Sequence, residues 1–119
     1  MEESILESIK GLLGPDSAYD VFDPDIVLFI NSAIATLTQL GIGPQKGYRI
    51  TGPGETWKDF IGDEKDLDSV KSYIFMKVKM VFDPPTSSFV LSAMEKMCEE
   101  YEWRLKTAVE DKILLTIED

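Results

Sequence analysis

The sequence predicts an all-α fold: a small bundle of four main helices plus a short helical turn, with one long glycine-rich loop. Three observations carry the prediction. Apolar residues recur at i, i+3 and i+4 in four separate stretches. Each stretch is bounded by residues that start or stop helices. Five of the eight glycines and two of the six prolines fall between residues 41 and 54, which isolates the one loop. At 119 residues the chain is one domain, long enough to bury roughly two-thirds of its unfolded-state surface. The expected division is a helical domain over 1–109 and a tail over 110–119.

Residues 3–13 place Ile5, Leu6, Ile9, Leu12 and Leu13 on one helical face, and Gly14-Pro15 closes the helix. A connector follows, in which Tyr19, Val21 and Phe22 are candidates to staple it to the core. Asp23-Pro24 predicts a second helix start, with Asp as N-cap and Pro at the first helical position. Ile26, Phe29, Ile30, Ala33, Ile34, Leu37 and Leu40 form its apolar stripe, and Gly41 stops it. Its outward residues, Asn31, Ser32, Thr36, Thr38 and Gln39, are polar but uncharged. Such a face suits either plain solvent or a contact surface.

The loop 41–54 contains Tyr48-Arg49-Ile50-Thr51, which reads as a short extended piece. A loop of this length in a compact domain is usually functional or disordered. Gly43, Gly47, Gly52 and Gly54 mark it as a candidate mobile segment, ordered by a partner. Gly52-Pro53-Gly54-Glu55 superficially suggests a phosphate loop. The Gly-Lys-Ser/Thr ending is absent, and Glu55 would repel a phosphate. Thr56 to Ile61 is the helical turn, with Trp57, Phe60 and Ile61 as anchors.

Leu67 to Phe82 is the helix the chain is organised around. Leu67, Val70, Ile74, Val78, Val81 and Phe82 lie on one face; Tyr73, Met76 and Met80 form a second apolar strip roughly opposite. A helix apolar on two sides is either a central core helix or one that faces another subunit. Asp83-Pro84-Pro85 ends it, because Pro lacks an amide hydrogen and forces the preceding residue out of helical geometry. Thr86, Ser87 and Ser88 then offer N-cap hydroxyls for a last helix to about Val109. Val90, Ala93, Met94, Met97, Tyr101, Leu105 and Ala108 make its stripe. Trp103 falls off that stripe, so its indole either covers a neighbouring loop or docks on another chain. Ile113, Leu114 and Leu115 sit between acids in a segment that reads as a terminal strand, a helix continuation or an unpaired tail. They pack on their own domain or on a partner.

The charge balance, 22 acids against 12 bases for a net −10, argues against gripping nucleic acid phosphates. The N-terminal Met1-Glu2-Glu3-Ser4 carries acids where a signal peptide needs bases, so production in the cytoplasm is expected. No uninterrupted apolar run approaches the length of a membrane span. One cysteine, Cys98, excludes an internal disulfide and reads as a small buried hydrophobe. There is no histidine, which removes the commonest general base and metal ligand. Asp63, Glu64, Asp66 and Asp68 lack the spacing of a calcium loop. Glu95, Glu99 and Glu102 line one helix face without the histidine partner of a di-iron site. No catalytic residue, cofactor site or metal site is expected.

Three pieces together resemble a known family. They are Thr56-Trp57-Lys58-Asp59-Phe60; Lys71-Ser72-Tyr73-Ile74 running into Phe82-Asp83-Pro84-Pro85; and Glu102-Trp103-Arg104-Leu105. Their order and spacing resemble the small head-tail connector, or head-completion, proteins of tailed bacteriophages and prophages, often labelled DNA-packaging proteins. The likeness covers most of residues 3–106. It implies a non-enzymatic helical protein that forms a twelve-fold ring below the portal, added after DNA packaging. Such a ring extends the DNA channel and offers a platform to a stopper or tail-completion protein, so the expected location is the virion. On that reading the candidate interface residues are Tyr73, Met76, Met80, Trp103, Ile113, Leu114 and Leu115. The alternatives from the residues alone are a small acidic regulatory protein, a DNA-mimic inhibitor and a carboxylate-metal enzyme.

Overall fold

The computed structural model describes residues 3–15, 20–62 and 67–118. Five α-helices follow one another: α1 (Ile5–Leu13), α2 (Asp23–Gln39), α3 (Trp57–Ile61), α4 (Leu67–Phe82) and α5 (Ser88–Glu118). A 3-10 turn, Asp20–Phe22, leads into α2. No strand is present among the described residues; one isolated antiparallel bridge joins Ser4 to Thr56. Tyr19 and the Asp63, Glu64 and Asp66 of the acidic run lie outside the described residues.

Helix α4 packs against α1, α2 and α5 at once. This is why it is apolar on two sides. Val70, Ile74 and Val78 are buried, and so are Tyr73 and Met76 on the other side. The Tyr73 hydroxyl donates to the Glu102 carboxylate on α5 at 2.8 Å. A hydroxyl taken out of water needs such a partner. The stripes of α1 (Ile5, Leu6, Ile9) and α2 (Ile26, Ile30, Ala33, Ile34, Leu37) complete the core. By length and composition alone, residues 20–39 are apolar enough to cross a membrane. Here that apolarity serves the core contact with α4.

Local signals set most helix ends. Ser4 caps α1 by accepting from the Glu7 amide. Thr56 and Asp59 form a reciprocal capping box on α3. At α2 the expectation is corrected. Phe22 occupies the N-cap position with no side-chain bond. Asp23 instead pairs with Lys10 at 2.8 Å. Lys10 is 7% exposed, and a buried ammonium needs a carboxylate more than a helix end needs a cap. The Asp23 hydrogen bond holds the Lys10 pKa above its ordinary value against the opposing effect of burial.

The long loop is tied to the bundle at several points. Gly41 leaves α2 with φ +96°, where a Cβ would meet Val109 of α5 at 2.8 Å. Ile50 is buried, and Asn31 of α2 grips its backbone twice: Ile50 N donates to Asn31 Oδ1 at 2.8 Å, and Asn31 Nδ2 donates to the Ile50 carbonyl at 3.0 Å. Tyr48 stacks on Phe60 with ring centroids 5.1 Å apart. The Tyr48–Thr51 piece forms no strand; its Ile50 backbone pairs with a helix side chain instead. Residues 55–57 in turn clasp the N-terminus: Ile5 N donates to Glu55 O at 3.1 Å, and Trp57 N to Glu3 O at 3.2 Å.

The last helix is longer than the stripe predicts. It runs unbroken through Val109 to Glu118, 31 residues in all. At ~1.5 Å per residue that is about 46 Å, against a longest molecular dimension of 50 Å. Of the three conformations open for residues 110–118, the chain adopts helix continuation.

Candidate assembly surface

The seven candidate interface residues divide by exposure. Tyr73 is 0% exposed and Met76 6%, so both are removed from any direct contact with a neighbour. Three helices enclose α4, and its second apolar strip is spent inside one subunit. Met80 is partly buried against the core. Trp103 is 67% exposed, and Ile113, Leu114 and Leu115 are similarly open.

These exposed residues sit on one helix with other exposed apolar side chains. Phe89 is 82% exposed, and Val90 and Met97 are half-exposed. At about 100° per residue, Phe89, Trp103 and Leu114 fall within about 40° of one another, opposite the buried Cys98 and Leu105. The angular relation is readable from residue numbers. What hides it is that Val90 and Met97 share the apparent core stripe. A one-sided reading of α5 gives the core more of that stripe than α4 has surface to cover. At the opposite end of α4, exposed Val81 and Val21 flank an edge-to-face contact between Phe22 and Phe82, centroids 5.6 Å apart.

Between the apolar positions the α5 surface is ionic. Glu100 pairs with Arg104 one turn on. Exposed pairs of this kind contribute little to stability, but they keep the apolar side chains separate and soluble.

Two shallow grooves flank the bundle. One, of about 840 Å³, lies between the outer face of α2 and residues 46–49. The other, of about 870 Å³, lies between the start of the glycine loop and the C-terminal turns of α5; Ile113 and Leu115 line it, and Leu114 does not. In the second groove Gly43, φ +81°, lies so close to Phe60 that a Cβ would sit 2.9 Å from Cδ1 of the ring.

Among the described residues the polar groups that could suggest chemistry are engaged in the fold. The amides that a phosphate loop would offer are taken by the chain itself. Glu55 accepts from Thr51 N at 3.0 Å, Thr51 Oγ1 at 2.8 Å and Gly52 N at 3.3 Å. Partial burial works against its ionised form, yet these bonds outweigh it and hold the Glu55 carboxyl below its ordinary pKa. Gly47 makes a turn, its amide donating to Pro44 O at 2.9 Å, and Gly54 stands open at the tip beside Glu55. Burial pushes the Cys98 thiol up, with Glu102 and Glu95 adding to the effect, so it is a poor nucleophile. Among the described residues no three His, Cys, Asp or Glu side chains are placed to hold a metal ion.

A closed core and one molecule-length helix with an exposed apolar outer face give the subunit a surface suited to assembly. Residues 5–112 match the family model described as phage connector protein, and the chain belongs to that family. No curated protein and no solved structure matches it. Membership makes this a structural component of the virion, a head-tail connector rather than an enzyme.

Proposed function

We propose that the protein forms a ring at the capsid vertex beneath the portal, after DNA packaging, and presents the platform to which a stopper or tail-completion protein binds. Twelve copies match the stoichiometry its family resemblance implies. The observation that carries the reading is the outer face of α5, with Phe89 at 82% and Trp103 at 67% exposure in a chain of the phage connector family. Large aromatics left in water on a folded subunit mark contact surfaces. A ring needs two different patches per subunit, because head-to-tail contacts that close make rings. The net charge of −10 suits a conduit wall: DNA phosphates are repelled and the duplex passes without adhering.

Electron microscopy of the chain incubated with packaged, tail-less heads tests this. Wild type is expected to add a ring of density below the portal, and Phe89→Glu/Trp103→Glu, folded by circular dichroism, is expected not to. Heads that bind both proteins equally would remove α5 from the contact. Heads that bind neither would overturn the head-tail role, and a tight, salt-sensitive DNA complex in a gel shift would contradict the passive conduit.

A further inference from the structure

We infer that the C-terminal turns of α5 from one copy lie in the groove between α2 and residues 46–49 of the next copy. The inference rests on the head-to-tail ring proposed above and names the two surfaces that meet in it.

The groove is built to be covered. Its long wall is the outer face of α2, from Pro24 through Leu28 and Ala35 to Thr38. That is about four turns, or roughly 21 Å at ~1.5 Å per residue. Leu28 is 60% exposed there. From Ile26 to Gln45 the sequence has no charged residue, in a chain of which 29% is charged. A helix face left to water ordinarily carries charge. The opposite wall supplies, among the described residues that line the groove, its two cations, Lys46 and Arg49, both exposed. Among the described residues neither has an ion-pair partner, although acids outnumber bases 22 to 12. The groove thus asks for an apolar side chain flanked by acids.

The end of α5 is such an element. Leu114 is 57% exposed. Glu110 and Asp111 precede it by four and three positions, which puts both carboxylates on the face Leu114 occupies. Residues 110–118 span about 13 Å of helix, which fits within the length of the groove. The segment is already helical in the free subunit, so docking carries little ordering cost. Leu114 against Leu28, with Glu110 and Asp111 towards Lys46 and Arg49, satisfies both surfaces. The two patches differ, so the contact is head-to-tail and can propagate around a ring.

A charge-reversal cycle on the full chain tests this, read by sedimentation equilibrium. Lys46→Glu/Arg49→Glu and Glu110→Lys/Asp111→Lys are each expected to weaken self-association by about tenfold or more, increasingly at low salt. The quadruple variant is expected to return to within about threefold of wild type. All four positions are exposed, so folding is not at issue. Leu28→Cys/Leu114→Cys, in a Cys98→Ala background, is expected to give an oxidised ladder of chains in solution and on heads, while each single variant gives none. Rings that persist in both double variants overturn the groove and leave the ring standing. A quadruple variant no better than the doubles, the absence of a ladder in both settings, or a cross-link from Leu28→Cys to the portal protein overturns the inference. Loss of self-association and of head binding in wild type itself overturns the ring as well.

Discussion

Tyr73→Phe isolates one buried hydrogen bond and gives it a pH signature. The Tyr73 hydroxyl is fully buried and donates to Glu102 at 2.8 Å. Bonds to a charged group contribute about 1.5–3 kcal/mol, and an acceptor that can regain water favours the lower end, about 1.5 kcal/mol. Glu102 is only half-buried, so that lower figure applies. At about 2.1 cal/mol/K per residue, unfolding 119 residues carries roughly 0.25 kcal/mol/K, so Tm should fall by about 6 °C. Burial, then the Glu102 bond and charge, raise the Tyr73 pKa above its ordinary value of 10.0. The folded state therefore keeps a proton that the unfolded state gives up above about pH 10. Stability from this group is complete below pH 10 and declines as pH rises towards the folded value. By pH 11 the linkage costs the wild type about 1.4 kcal/mol, and the phenylalanine variant has no such group. The gap between the two proteins should be constant from pH 7 to 9 and close to nothing by pH 11. Urea unfolding at four pH values measures it. Equal midpoints at pH 7, or a gap unchanged at pH 11, would show that the hydroxyl does not make this bond.

Two further predictions concern the loop. Asn31→Ala removes both ties to the Ile50 backbone and should cost about 2 kcal/mol, with faster amide exchange over residues 46–51 while α4 stays protected. Gly43→Ala forces an L residue into φ +81° and a methyl against the Phe60 ring; a loss of about 2–4 kcal/mol is expected by thermal unfolding, whereas Gly54→Ala, with open space around it, should be near neutral.

The four main helices and the short turn were legible because each is set by signals within a few residues. Asp83-Pro84-Pro85 stops α4 whatever surrounds it, and Ser4 and Thr56 cap their helices from inside their own turns. The three motif pieces pointed to the same family that residues 5–112 match. The interface was less legible. Periodicity marks a face as apolar but is silent on which neighbour covers it. Tyr73 and Met76 met α5 and the rest of the bundle in the same chain, while Val90 and Met97, read as core, stayed half in water. Asp23 shows the same limit: its sequence position suits a cap, and a buried lysine elsewhere in the chain took its carboxylate.

By itself the sequence determined where the helices lie, most of their stops and the acidic character of the chain, because propensity, capping and net charge are local or additive. Only the tertiary structure decided that α4 is enclosed, that the glycine loop is pinned through Asn31 and Phe60, and that α5 runs through residue 109 with an uncovered outer face. Those outcomes depend on how much surface each helix finds to bury, and that is settled between segments far apart in the chain.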